Sequence, residues 1–172
     1  MINIKVTHSS VWNSQTSFRF MNILYRQATP DDAEDISKMI CEALRITNSK
    51  NYSDIVLNRI EECNKPSELV PYLEKYYFLC ATVEDEIVGV GGVTDTELIK
   101  LFVSPNYQHK RIGTTLVDKL VAYYKEHYPE KELVLLATVD GKTIYDRAGF
   151  VTYEEINDDS HGHLYRMRLT KH

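Results

Sequence analysis

The stretch VSPNYQHKRIGTTLVDKL, residues 103 to 120, passes from an apolar strand through a basic loop into a long helix. At the start of a helix several backbone N–H groups lack helical partners and form the positive end of the helix dipole. Lys110 and Arg111 add positive charge there, and Gly113 lets a ligand approach the backbone closely. Spacing alone leaves two interpretations open, because such a loop is either an anion cradle or a solvated basic rim that binds nothing.

The elements around this stretch follow a pattern typical of a mixed sheet covered by helices. The runs YYFLCATV and IVGVGGV form a predicted hairpin, and ELIKLFV is the third strand of the same meander. LVLLATV follows the long helix and is apolar on both faces, as expected for a central strand flanked by helices. The order β-α-α-β-β-β-α-β-α-β-β predicts an α/β (α+β) fold with a mostly antiparallel sheet of about seven strands and helices on both faces.

Two helices are predicted before the meander. Thr29 and Pro30 are suited to the N-cap and the first position of the first helix. Residues 52 to 63 predict the second helix, after which Pro66 and Pro71 interrupt the pattern. The predicted inner side of that second helix consists of Ile55, Val56, Ile60 and Cys63.

The glycine-rich segment GVGG, residues 89 to 92, resembles the start of a dinucleotide-binding motif but does not complete it. Thr94 stands where the third glycine is required, and the segment lies inside a strand pattern rather than before a helix. Its predicted role is therefore structural, because glycines within a strand permit a bulge or close packing.

The composition is that of an ordinary globular domain. The 172 residues are 43% hydrophobic and 26% charged, with a formal net charge of −5, which argues against a nucleic-acid partner. No apolar run approaches the ~20 residues that a membrane helix needs, so no membrane association is expected. Three cysteines without C-x-x-C spacing predict neither a disulfide framework nor a zinc site, and reduced thiols favour the cytoplasm. His161 and His163 are weak evidence for a metal, so none is expected.

The folded pattern begins near Met21, so residues 21–172 are predicted to form a single domain. Residues 1–20 are polar and lack the apolar core of a secretory signal. We interpret them as an upstream extension, either poorly ordered or a cloning remnant, with Met21 as the natural start. The alternative is an arm that packs on a partner chain through its aromatic residues, Trp12, Phe18 and Phe20.

Three ordered motifs resemble the GNAT N-acetyltransferase superfamily. Residues 103 to 114 resemble its motif A, which reads roughly V-x-P-x-[YH]-[QR]-x-x-G-x-G-[AST]. The later GKTIYDRAGF resembles a family helix that typically ends F/L-Y-E-x-x-G-F, and YRQATPDDAEDI resembles the first strand and helix. The residues that carry the motif A match are Val103, Pro105, Tyr107, Gln108, Arg111, Gly113 and Thr114.

The resemblance implies an acetyl-CoA site between two splayed strands. In this family the strand before the loop carries a bulge and diverges from the next strand, here LVLLATV. The pantetheine arm of acetyl-CoA would bond the backbone of Leu101, Phe102 and Val103. Its pyrophosphate would rest on the amides of Gln108, His109, Lys110, Arg111, Ile112, Gly113 and Thr114. Arg111 replaces a glycine of the motif, and we expect this position to need only an α-compatible backbone.

The resemblance also assigns catalytic roles. Tyr145 occupies the family's tyrosine position, four residues before Gly149, where a phenol protonates the departing CoA thiolate. The alternative for Tyr145 is a core tyrosine that anchors its helix. Glu97 is a candidate base that deprotonates the amine through water, and its alternative is an ordinary surface glutamate.

The predicted function is therefore an acetyl-CoA-dependent N-acetyltransferase acting on a primary amine. The acceptor would be a small molecule or a peptide. The acidic segment of residues 46–76 would shape the site that binds it. Family members are often dimers, so a homodimer is also expected. One alternative is a non-catalytic acyl-CoA-binding regulatory module on the same fold, and another is an interaction protein with no CoA site.

Overall fold

Two antiparallel sheets form the frame of the protein. The computed structural model describes residues 22–48, 53–158 and 162–170, so the predictions about residues 1–20 and about His161 lie outside the described residues. The strands are β1 Leu24–Gln27, β2 Tyr77–Val83, β3 Glu86–Val93, β4 Leu98–Val103, β5 Val134–Thr138, β6 Phe150–Asp158 and β7 Gly162–Leu169. One sheet has the order β1-β2-β3-β4 and the other β5-β7-β6, so the seven predicted strands are confirmed but divided between two sheets.

Five α-helices of the described residues cover this frame, and none has the length and apolar character needed to cross a membrane. They are α1 Ala33–Ala43, α2 Asp54–Glu62, α3 Pro66–Lys75, α4 Ile112–His127 and α5 Lys142–Arg147. One buried cluster joins α1, α2 and α3 to the first sheet, and a second joins α4 and α5 to both sheets. The predicted helices on both faces are thereby confirmed.

Glycines in β3 let α4 pack close to the first sheet. A Cβ built on Gly89 would lie 3.0 Å from Ile112 Cγ2, and one built on Gly91 would lie 2.9 Å from Leu120 Cδ1. Separations this short mean that a side chain at either position would push against the side chains by which α4 packs on the sheet. The structural role predicted for GVGG is confirmed.

Strand β4 contains one extra residue at its centre. Lys100 and Leu101 together oppose Gly91 in the register between β3 and β4, which is the arrangement of a β-bulge. Lys100 has φ 53°, in the left-handed region that residues other than glycine rarely adopt. The bulge implied by the family resemblance is therefore present.

An isolated bridge joins β4 and β5 where the two strands begin. Glu97 forms a parallel bridge with Val134, and the Val134 N–H donates to the Thr96 carbonyl at 2.9 Å. Beyond this point no bridge joins the two strands within the described residues, so a cleft opens between them. The splayed strand pair that the resemblance implies is confirmed.

Tyr124 of α4 links the two strands at the closed end of this cleft, where Glu97 and Val134 form the bridge. Its ring is buried, and its hydroxyl lies 3.0 Å from the Asp95 carbonyl and 3.1 Å from the Glu132 carbonyl. These carbonyls belong to the segments that lead into β4 and β5. An ion pair of 2.8 Å between Lys131 and Asp95 joins the same segments at the surface.

The helices before the meander differ from the prediction. Leu57 is the buried residue of α2, whereas Ile55 is 82% exposed and Cys63 is exposed just beyond the helix. The predicted inner side was wrong at both of these positions, because closely spaced apolar residues allow two different faces. Helix α3 was missed, since it begins at Pro66 and continues through Pro71, which lies exposed inside the helix.

The second sheet departs from the prediction on one face. Leu136 of β5 is 54% exposed, while its neighbours Leu135 and Ala137 are buried against α4 and α5. The prediction that helices flank this strand on both sides was therefore wrong for the face that carries Leu136.

We predict that Tyr124→Phe lowers the free energy of unfolding by about 1 to 2 kcal/mol, because the carbonyls of Asp95 and Glu132 lose their shared donor, the hydroxyl of a buried side chain. Urea denaturation measures the change. Tyr123→Phe is the matched control, since its ring stacks between Tyr77 and His127 and no hydrogen bond of its hydroxyl is seen within the described residues. An equal loss in both variants would contradict the role given to Tyr124.

Candidate active site

On the β4 side of the cleft, the Val103 N–H has no hydrogen-bond acceptor within the described residues. The Ser104 N–H donates to the Val88 carbonyl of β3 at 2.9 Å. Adjacent strand residues direct their backbone groups to opposite sides, so those of Val103 face the cleft. The Val103 carbonyl accepts from Gln108 Nε2 at 3.3 Å, which leaves the Val103 N–H available to a ligand.

The basic loop, residues 108–114, follows β4 after a 3₁₀ turn at Pro105–Tyr107. His109 and Arg111 have φ 60° and 64°, so left-handed residues alternate along the loop. Alternation of this kind turns successive N–H groups into one concavity that binds anions. Within the described residues, the amides of His109 to Thr114 donate to no carbonyl or side-chain oxygen. The Gln108 amide differs, because it lies 3.4 Å from the Pro105 carbonyl.

Arg111 needs more than an α-compatible backbone. It is the N-cap of α4 with φ 64° and ψ 9°, which is the left-handed conformation. The expectation for this position was wrong, because an ordinary helical backbone would not turn the loop into α4. A glycine would adopt this conformation without the cost of about 1 to 2 kcal/mol that an L-residue incurs.

Side chains of the basic loop bind mainly to the protein itself. Gln108 Nε2 donates to Thr47 Oγ1 at 3.2 Å as well as to Val103. Lys110 Nζ donates to the Asn106 carbonyl at 2.9 Å and lies 4.8 Å from the centre of the Tyr107 ring. The side chains therefore hold the loop in shape, while its amides point outward.

Helix α5 meets the basic loop at Gly113. A Cβ built on Gly113 would lie 3.3 Å from Ile144 Cδ1 and 3.6 Å from Val103 Cγ2. The absence of a side chain thus brings together the loop, the end of β4 and the helix that carries Tyr145. This packing is a reason for glycine in addition to the predicted close approach of a phosphate.

Tyr145 is buried next to this meeting point. Its ring is 8% exposed and packs edge-on against Phe150 with the centroids 6.0 Å apart. Burial raises the pKa of Tyr145 well above its ordinary value, because the phenolate would lose its hydration. The hydroxyl therefore keeps its proton throughout the neutral and mildly alkaline range.

A sequence model described as acetyltransferase (GNAT) domain matches residues 49–171, which is more than two thirds of the chain. The chain belongs to the GNAT family. A search of curated proteins found no match.

Solved structures share the GNAT fold at low sequence identity. The PaiA N-acetyltransferase of Thermoplasma acidophilum, solved in complex with coenzyme A, is 22% identical with a TM-score of 0.74 over 88% of this chain and 100% of that one. A GCN5-related N-acetyltransferase of Rhodopseudomonas palustris is 18% identical with a TM-score of 0.77, covering 88% and 98%. A GNAT acetyltransferase of Streptococcus pneumoniae is 16% identical with a TM-score of 0.67, covering 86% and 98%.

Glu97, the predicted base, lies at the closed end of the cleft. Its side chain is exposed, and its N–H donates to Thr94 Oγ1 at 2.9 Å. Strand geometry puts about 15 to 20 Å between Glu97 and Val103 at the other end of β4. The GNAT frame therefore brings α5, Val103 and the basic loop together but leaves Glu97 apart from the loop.

Two further residues near the GNAT site escaped the sequence analysis. Thr47 lies in a π-helical turn at Leu44–Asn48 and accepts the hydrogen bond of Gln108. Lys100, at the bulge of β4, is a half-buried lysine whose pKa is lowered by burial. Its only sequence signal was a charged residue inside the apolar run LIKLFV.

No group of three or more histidine, cysteine, aspartate or glutamate side chains that could hold a metal occurs among the described residues. The prediction that the GNAT site uses no metal stays a prediction.

We predict that Arg111→Gly raises the free energy of unfolding by about 0.5 to 1 kcal/mol. The strain energy that this substitution removes is larger than the stability lost because glycine raises the conformational entropy of the unfolded chain. Urea denaturation measures the gain, with Lys110→Gly as the control, because Lys110 does not have a positive φ. Destabilisation by Arg111→Gly as large as that of Lys110→Gly would contradict this account of the loop.

Proposed function

We propose that the protein is an acetyl-CoA-dependent N-acetyltransferase that transfers an acetyl group to a primary amine by direct attack. The observation that carries this proposal is the set of unpaired amides between His109 and Thr114, beside the mouth of a cleft between two strands. A pyrophosphate is the part of acetyl-CoA that such a concavity suits. The coenzyme A complex of the PaiA N-acetyltransferase supports the same ligand.

The residues that would hold acetyl-CoA are those of the basic loop and the end of β4. The loop amides would bind the pyrophosphate, with the exposed side chains of His109, Lys110 and Arg111 nearby. The backbone groups of Leu101 and Val103 would bond the pantetheine arm, as a third strand does in a sheet, while those of Phe102 between them face β3. Acetyl-CoA supplies the activated acetyl group as a thioester.

Tyr145 is proposed to protonate the departing thiolate. Acyl transfer from a thioester leaves a thiolate, and a buried phenol that keeps its proton is a suitable donor. Burial raises the pKa of Tyr145, so its hydroxyl is protonated at neutral pH and is present in the donor form. A backbone N–H on the cleft side of β4 would stabilise the carbonyl oxygen as it gains charge.

Glu97 is proposed to accept the amine proton through water. An amine must be neutral to attack, and the exposed carboxylate has access to solvent at the closed end of the cleft. The acceptor itself would be a small molecule or a peptide with a free amine. The acidic residues of the 46–76 segment support a cationic acceptor.

The proposal includes a cytoplasmic location and a single catalytic domain spanning residues 21–172, with a homodimer as its expected assembly. Cys41, Cys63 and Cys80 are all free thiols, which supports a reducing compartment. Burial raises the pKa of the Cys80 thiol to about 12, so that thiol is inert.

Calorimetric titration with acetyl-CoA, followed by thiol release with a panel of amines, tests the proposed function. We expect saturable binding and amine-dependent release of CoA. Binding without release by any amine would favour the non-catalytic acyl-CoA module, and the absence of binding would overturn the proposal.

We predict that Tyr145→Phe lowers kcat about a hundredfold, because the thiolate loses its proton donor. The affinity for acetyl-CoA should change little, since the phenyl ring still packs against Phe150. Steady-state kinetics from pH 6 to 9 and titration measure the two effects. Full turnover across that range would remove Tyr145 from the mechanism.

We predict that Glu97→Gln lowers kcat/KM for the amine about a hundredfold at neutral pH and less at higher pH. The deficit shrinks because the neutral fraction of the amine rises with pH and needs no base. Glu86→Gln, an exposed glutamate at the start of β3, is the matched control. A deficit that does not change with pH would count against Glu97 as the base.

A further inference from the structure

Lys100 is the residue at which β4 departs from regular strand geometry. It has φ 53°, and with Leu101 it opposes Gly91 alone in the neighbouring strand. A lysine has no intrinsic tendency toward this conformation, so other contacts must hold it there.

The side chain of Lys100 supplies those contacts. Its Nζ donates to Asn64 Oδ1 at 2.8 Å and to the Cys63 carbonyl at 3.0 Å, and it lies 5.4 Å from the centre of the Tyr72 ring. Asn64 is 3% exposed, and its Nδ2 donates to the Ile60 carbonyl at 2.7 Å, which fixes the direction of its oxygen. The turn between α2 and α3 therefore forms a preorganised binding site for the Lys100 ammonium group.

Lys100 connects this turn to the bulge, because its backbone lies in the bulge and its Nζ is bound at the turn. Charge-assisted hydrogen bonds to a partly buried ammonium are of the same order as the cost of a left-handed residue. Without them residue 100 would relax, and the pairing of Phe102 and Val103 with β3 would shift.

We infer that Lys100 is a positioning residue whose anchored ammonium holds the β4 bulge left-handed, so that β4 directs its backbone groups into the acetyl-CoA cleft. This inference rests on the proposed function, because the groups so directed are those assigned to the pantetheine arm. It gives Lys100 a role on the cofactor side of the site although its side chain lies against α2 and α3.

A plain structural role for Lys100 makes a different prediction. If the lysine served only to fasten the turn between α2 and α3 to the sheet, every truncation would act alike. If it serves to hold the bulge, glycine at position 100 should substitute for it, because glycine adopts the left-handed conformation without an anchor.

Titration of wild type, Lys100→Met and Lys100→Gly with acetyl-CoA separates these roles, with urea denaturation of each protein alongside. We expect Lys100→Met to bind about tenfold more weakly and Lys100→Gly to bind within about twofold of wild type, although both lose stability. Asn64→Leu should weaken binding in the wild-type background and have no effect on binding in the Lys100→Gly background.

Three results of these titrations would contradict the inference or the proposed function. Wild-type affinity in Lys100→Met, or a loss in Lys100→Gly as large as in Lys100→Met, would overturn the inference while leaving the proposed function intact. Failure of the wild type to bind acetyl-CoA would overturn both.

Discussion

The parting of β4 from β5 after a single bridge is the constraint on which the rest of the structure depends. At Glu97 and Val134 the two strands are joined, and the buried hydroxyl of Tyr124 holds the carbonyls that precede them. At the other end α5 and the first turn of α4 pack against the end of β4, where Gly113 leaves room for Ile144. The cleft is thus held by hydrogen bonds at one end and by side-chain packing at the other.

Backbone strain is concentrated along the path that leads to the cleft. Lys100, His109 and Arg111 all have positive φ, and together with the Glu84–Asp85 turn they account for the non-glycine residues of this kind in the described chain. Each costs about 1 to 2 kcal/mol, which the buried clusters on both sides of the first sheet offset. At Lys100, His109 and Arg111 the left-handed conformation turns backbone groups away from the sheet or the helix and toward the proposed acetyl-CoA site.

Local sequence patterns predicted the strands and most of the helices, but they did not predict the backbone conformation of single residues or the long-range side-chain contacts. The period-2 runs and the basic loop before an amphipathic helix led to the meander and α4, because these depend on residues close in sequence. The splayed pair came instead from the family resemblance, since its strands meet at Glu97 and Val134. Helix α3 was missed, since Pro71 inside a helix is unfavourable unless tertiary packing compensates for it. The left-handed Arg111 was missed, because arginine gives no sign of a conformation that its neighbours impose. Lys100 and its acceptor Asn64 are 36 residues apart, so no local pattern connects them.

Two side chains join the strand and loop proposed for the cofactor to helices on the other face of the sheet. Lys100 reaches the turn between α2 and α3, and Gln108 reaches Thr47 in the π-helical turn after α1. A π-turn is rare and places its side chains out of the normal helical register, which is how Thr47 comes to meet the loop. Because α2, α3 and Thr47 lie within residues 46–76, the segment proposed to shape the acceptor site, any movement of β4 or of the basic loop on ligand binding would be transmitted to that segment directly. The two substrates would then be linked through polar contacts of about 3 Å rather than through the hydrophobic core.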